Sequence, residues 1–103
     1  MKKTTLYIGL NDKDTKHQRI DTLECTKIVY NILFAYGIDG CTIYNSTGVY
    51  KHDDGTVVIE NSLKVELFDV IDKSIGGAIA SLKIALNQES IIRQDETVTS
   101  EFV

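Results

Sequence analysis

Residues 40–70 read GCTIYNSTGVYKHDDGTVVIENSLKVELFDV, and this stretch decides the fold. Its middle, His52-Asp53-Asp54-Gly55, places an Asp-Gly pair between two β-rich runs. That is a strong hairpin signal, because glycine accepts the positive φ that such a turn requires. After the turn Leu63, Val65 and Leu67 alternate with Ser62, Lys64 and Glu66, the two-residue period of a strand with one buried face. The odd parity extended backwards predicts that Val57 and Ile59 are buried too. In the preceding arm, residues 41–51, Cys41, Ile43 and Val49 fall on one side and Tyr44 and Tyr50 on the other. The acidic turn itself reads as a solvated corner.

Outward from the hairpin, a helix lies on each side. Upstream, Asp21 and Glu24 have the spacing of a capping box, in which Asp21 accepts a backbone N–H and Glu24 reaches back. Cys25, Ile28, Val29, Ile32, Leu33 and Tyr36 then form one apolar stripe, and Gly37 supplies the left-handed stop. Downstream, Asp72 or Ser74 caps a second helix whose stripe is Ile75, Ile79, Leu82 and Leu86, with Asn87 as its C-terminal cap. Gly76-Gly77 lowers its propensity by about 1 kcal/mol per residue against Ala, which predicts either a close helix-to-backbone contact or an irregular first turn.

Residues 4–10 form a first strand with Leu6, Ile8 and Leu10 on one face and Thr5, Tyr7 and Gly9 on the other. Residues 90–103 form a last one, in which the polar run Gln94-Asp95-Glu96 is a point where the strand could be interrupted. The order strand, helix, strand, strand, helix, strand predicts a single α+β domain over residues 1–103. Its expected fold is ferredoxin-like βαββαβ: a four-stranded antiparallel sheet with both helices on one face. Right-handed crossovers put the first and third strands in the centre, so Leu6, Ile8, Leu63, Val65 and Leu67 should be core.

The same parity count describes the uncovered face. It carries Tyr7, Tyr44, Tyr50, Val58 and Phe68, together with Thr5, Thr42, Lys64 and Glu66. So many aromatics on one open face predict homo-oligomerisation through it, against the alternative of scattered tyrosines on a solvated monomer.

Composition narrows the function. The 103 residues are 43% apolar and 25% charged, which is ordinary for a globular chain, and the net charge of −4 opposes binding to a nucleic acid polymer. The alternating run after Lys2 and Lys3 is too short for a signal peptide, and no run approaches the roughly 18 apolar residues of a membrane span, so no membrane role and a cytoplasmic location are expected. Cys25 and Cys41 read as buried free thiols, too few for a structural zinc site.

Two stretches carry candidate chemistry. The loop at residues 11–19, NDKDTKHQR, gathers Lys13, Lys16, His17 and Arg19 just before a helix N-terminus, where an anion is favoured, although Asp12, Asp14 and Asp21 oppose it. A solvated loop is the plain alternative, and a metal held by Asp12, Asp14 and His17 lacks the calcium-loop pattern. At residues 86–91, LNQESI, Asn87 and Gln88 are suited to reading a base edge, with Arg93 nearby for a phosphate, against the plain reading of a cap and loop. No paired nucleophile and no glycine-rich phosphate loop stand out, so neither a metal nor a cofactor is expected and the protein reads as non-enzymatic.

The runs LYIGLNDKDT at 6–15, TGVYKHDDGTVVIENSLKVEL at 47–67 and LNQESI at 86–91 resemble small accessory proteins of Firmicute phages, among them the anti-Thoeris sponge family. That family sequesters cyclic ADP-ribose-type signals made by bacterial immune TIR enzymes. The resemblance implies a non-enzymatic, oligomeric α+β anti-defence protein that holds a small anionic cyclic nucleotide between subunits. No ligand residue is carried over from it. A protein–protein inhibitor or adaptor acting through the sheet or the acidic surface is the alternative.

Overall fold

The computed structural model describes residues 1–103. Its elements are β1 (Lys2–Gly9), α1 (Thr22–Ala35), β2 (Thr42–Lys51), β3 (Val57–Phe68), α2 (Asp72–Ala85) and β4 (Ile92–Thr97). The strands form one antiparallel sheet in the order β2-β3-β1-β4, with the first and third strands central as expected. The fold is therefore the ferredoxin-like arrangement that the element order predicts.

The sequence explains the local structure closely at the corners. His52 N–H donates to the Thr56 carbonyl at 2.8 Å, and Gly55 takes φ +89° in the turn between β2 and β3. Asp21 caps α1 by accepting the Glu24 N–H at 2.9 Å, which is the forward half of the predicted box. Both helices end alike. Gly37 (φ +78°) and Asn87 (φ +47°) are left-handed, and the residues after them, Ile38 and Gln88, donate back to Leu33 and Lys83 at 3.0 and 2.8 Å.

The core lies between the helices and one face of the sheet. Leu6, Ile8, Leu63, Val65 and Leu67 from the central strands meet Cys25, Val29 and Leu33 of α1 and Ile75, Ala78 and Leu82 of α2, all buried. Full burial of a Leu or Val side chain contributes about 1.5–3 kcal/mol, so this layer dominates stability.

The hairpin departs from its parity. Val57 and Ile59 are 56% and 67% exposed, and Val49 is exposed with them. These residues do point to the helix side, since Ile59 pairs with Val49 and Val57 with Lys51 in unbroken register with the buried Leu63. The two 14-residue helices do not reach the end of a 12-residue strand, so the arm projects beyond them. The molecule is accordingly long, 47 × 26 × 23 Å.

The last strand is shorter than residues 90–103 and has no interruption. β4 runs unbroken through Gln94-Asp95-Glu96, paired with Thr5, Thr4 and Lys3, and stops at Thr97. The polar run persists as strand because Asp95 accepts from the Thr4 hydroxyl at 2.7 Å and from Arg93. Gly76-Gly77 sits within a continuous α2 whose N-cap is Ile71, without a side-chain cap, in place of the predicted Asp72 or Ser74.

Candidate functional site

The open face of the sheet is organised in cross-strand rows that the register defines. Tyr44, Lys64, Tyr7 and Ile92 form one row. Ser46, Ser62 and Gly9 form the next, Gly48 and Glu60 the third, and Tyr50 and Val58 the last. The third row is unusual. Glu60 lies among glycines of the two flanking strands: a Cβ on Gly9 would stand 2.6 Å from its Oε1, and one on Gly48 3.6 Å from its Cγ. Strand glycines mark a close approach, and here the approaching group is a carboxylate. Its Oε2 accepts the Asn11 N–H at 3.0 Å.

These rows floor a groove of about 820 Å³, well within the size of small-ligand sites. Tyr7, Tyr50, Val58, Glu60, Ser62 and Lys64 line it from the sheet, with His52 at the turn end. His52 meets the edge of Tyr50 with ring centroids 5.5 Å apart. Ser46 and Ser62 exchange a hydroxyl hydrogen bond of 2.8 Å in its floor. Its rim is completed by the loop, through Asn11, Asp12, Lys13 and Lys16, and by Gln88, Glu89 and Ser90 after α2.

The two stretches singled out in the sequence thus meet. Asn87 Nδ2 donates to Asp12 Oδ1 at 2.8 Å and to Asp14 Oδ2 at 2.9 Å. Lys13 N–H donates to the Asn87 carbonyl at 3.0 Å, and Gln88 Nε2 to the Asn11 carbonyl at 2.8 Å. Asp12 Oδ2 accepts the N–H groups of Asp14 and Thr15. The Thr15 N–H, the Asn87 amide, the Asp14 N–H and Arg19 at 3.8 Å together lower the Asp12 carboxyl to about 2. It therefore stays ionised throughout the neutral range, as the centre of a folded loop.

Of the predicted ligand residues, Lys16 and Gln88 line the groove. Lys16 is left-handed (φ +64°) and its Nζ donates to the Lys13 carbonyl at 2.6 Å. The others need correction. His17 is exposed and serves through its backbone, its carbonyl accepting the Asp12 N–H. Arg19 and Asn87 line a smaller cavity of about 260 Å³ beside Leu10, Ile20 and Leu86. Both amide hydrogens of Asn87 are committed to carboxylates, so it is not free to read a base edge. Arg93 pairs opposite Leu6 and so projects from the helix side, where it binds Asp72 at 2.7 Å and Asp95 at 3.2 Å. It is not placed to meet a phosphate in the groove.

The face residues Tyr7, Tyr44, Tyr50 and Phe68 are exposed, and Val58 is half-buried. Tyr44 is tied down: its hydroxyl donates to Glu66 at 2.8 Å, which raises its pKa, and Lys64 Nζ lies 5.5 Å from its ring centroid. Glu66 is held below its usual range by Lys3 at 2.6 Å and by that tyrosine. Thr5 beside them is buried. Glu60, Ser46, Ser62 and the glycines Gly9 and Gly48 are what motif reading misses. The available signal was two lone glycines in otherwise β-branched strands.

Fold and site together define a small ferredoxin-like protein with a ligand-sized groove on its open sheet face. No family model and no curated protein matches the chain. Solved structures do. A phage SAM lyase in complex with S-methyl-5'-thioadenosine aligns at TM-score 0.67 and 22% identity, over 92% of this chain and 79% of that one. GlnK of B. subtilis in complex with ATP aligns at TM-score 0.57 and 11% identity over 93% and 84%. The divalent ion tolerance protein CutA1 of Ehrlichia chaffeensis aligns at TM-score 0.57 and 19% identity over 96% and 85%. The expectation of a non-enzymatic chain is overturned here, since a lyase shares this fold over most of both chains.

No helix is long and apolar enough to cross a membrane.

Proposed function

We propose that the protein is a phage anti-defence protein that binds a small adenosine-bearing ligand in the open-face groove and acts on it as a SAM lyase does. The observation that carries the reading is Glu60, a carboxylate seated over Gly9 in a groove of about 820 Å³ flanked by Tyr7 and Tyr50. S-Adenosylmethionine is a net cation with a sulfonium centre. A chain of net charge −4, with Glu60 and Glu89 in its groove, suits it better than the anionic nucleotide expected from the loop lysines. The tyrosine rings offer faces for adenine, and Lys13 or Lys16 at the rim offers a partner for the amino-acid carboxylate.

The chemistry asks mainly for position and charge. The bond between the sulfonium sulfur and the γ-carbon of the amino-acid chain breaks, its electron pair stays on sulfur, and S-methyl-5'-thioadenosine leaves neutral. Attack on that carbon by the substrate's own carboxylate balances the step and releases a lactone, with no water or added base. Incubation of the purified protein with S-adenosylmethionine, followed by chromatography, should yield S-methyl-5'-thioadenosine. Recovery of the substrate intact would end the lyase reading.

The three lysines of the groove, Lys13, Lys16 and Lys64, favour a second ligand class. A cyclic ADP-ribose-type signal, as the anti-Thoeris resemblance implies, carries the same adenosine with phosphates for the lysines. Thermal shift against both classes separates them, since a ligand at 100 times its dissociation constant adds about 2.7 kcal/mol.

A second copy completes the assembly in this reading. Tyr44, Tyr50 and Phe68 on the open face and Val49, Val57 and Ile59 on the back of the arm are apolar and exposed. Light scattering at micromolar concentration should return an oligomer. Ile59→Asp should shift it to the monomer without unfolding the protomer, because nothing in the protomer covers Ile59.

A further inference from the structure

Asn87 lies outside the groove, yet it joins two segments that line it. It is the left-handed residue that ends α2, with its N–H donating to the Ile84 carbonyl at 3.2 Å. Its carbonyl accepts the Lys13 N–H, and its side-chain amide spends both hydrogens on Asp12 and Asp14, 75 and 73 residues away in sequence. Asp12 is only 6% exposed and is the turn around which the loop is wound, since its carboxylate also holds the N–H groups of Asp14 and Thr15. Lys13 and Lys16 of the loop and Gln88 and Glu89 after α2 line the groove beside these residues.

We propose that Asn87 is a positioning residue for the groove: its amide locks the loop at residues 11–16 onto the end of α2 and so fixes the joint rim that the two segments present to the ligand. This rests on the groove being the ligand site. Two neutral bonds also join the segments, Lys13 N–H to the Asn87 carbonyl at 3.0 Å and Gln88 Nε2 to the Asn11 carbonyl at 2.8 Å, and neither has a charged acceptor. A hydrogen bond to a charged acceptor is about twice as strong as a neutral one, and of the two bonds from this amide the one to Asp12 is half-buried.

The helix-ending role and the clamping role are separable. Asn87→Gly keeps, and even favours, the left-handed backbone while deleting the amide; Asn87→Ala deletes the amide and strains the backbone. In both variants, hydrogen exchange at the Asp14 and Thr15 amides should rise about tenfold, while exchange at the central β1 and β3 amides stays unchanged. With S-methyl-5'-thioadenosine as the probe, calorimetry should show binding weakened about tenfold, and with S-adenosylmethionine KM should rise by a similar factor at nearly constant kcat. A residue that only maintained the fold would lower the active fraction, and hence the apparent kcat, and leave KM alone.

Wild-type exchange and affinity in Asn87→Gly would reduce Asn87 to a helix terminator and overturn the proposal. So would faster exchange with unchanged affinity, since the clamp would then hold a loop that positions nothing. Should the wild-type protein fail to bind S-methyl-5'-thioadenosine, the reading of the groove falls. The positioning role falls with it, and the exchange result alone then decides whether the amide holds the loop.

Discussion

Under the proposed lyase activity, Glu60→Gln should lower the conversion of S-adenosylmethionine to S-methyl-5'-thioadenosine about 100-fold, the magnitude typical of removing one preorganised electrostatic group from an active site. The substitution removes the charge and keeps the shape. Glutamine retains an oxygen that can accept the Asn11 N–H now held by Glu60 at 3.0 Å, so the melting temperature should stay within about 3 °C of wild type. Gly9→Ala tests the same site without touching the carboxylate. The new Cβ would stand 2.6 Å from Glu60 Oε1, and a flexible carboxylate yields more readily than a central strand. Activity should therefore fall at least tenfold with stability nearly unchanged, a fall that reports the position of Glu60 and not its presence. Wild-type turnover in Glu60→Gln, measured by product chromatography, would remove this residue from the mechanism.

Gly76→Ala and Gly77→Ala should move stability in opposite directions, although the two glycines adjoin in one helix. Nothing lies within 4 Å of a Cβ on Gly76, so alanine there gains helix propensity, about 1 kcal/mol of added stability. A Cβ on Gly77 would stand 2.5 Å from Tyr36 Cε1. The ring rests on the bare backbone of α2 with its hydroxyl 2.6 Å from Ser81 Oγ, so it must swing away and give up both contacts. Overpacking of this kind costs typically about 1–3 kcal/mol, which outweighs the propensity gain. The variants should differ by about 2 kcal/mol, or roughly 10 °C in melting temperature for a domain of this size. Equal melting temperatures would mean that Tyr36 does not hold α1 against α2.

That pair also shows what could be read from the chain alone. The glycine pair raised the right question, a close contact or an irregular turn. Its answer is the close contact, and its maker, the ring of a tyrosine 41 positions earlier, depends on how two helices cross. Arg93 teaches the same lesson. Its charge suggested a phosphate, but the register with Leu6 turns it to the helix side, where Asp72 and Asp95 neutralise it. The exposure of Val57 and Ile59 again follows from geometry, since strand parity says which way a side chain points and not whether anything lies there to cover it.

From the sequence by itself came the features governed by local physics. The hairpin corner at Asp54-Gly55, the Asp21 cap, the Gly37 stop, the element order and the central pair of strands all follow from φ preferences, capping and hydrophobic period. The tyrosine-bearing face of the 40–70 hairpin was legible for the same reason. Only the tertiary structure decided that Glu60 sits over Gly9, that Asp12 and Asn87 join two distant segments, and that those segments wall one groove. Each is a meeting of residues far apart in the chain. Such meetings are set by strand register and helix packing, which no local pattern specifies.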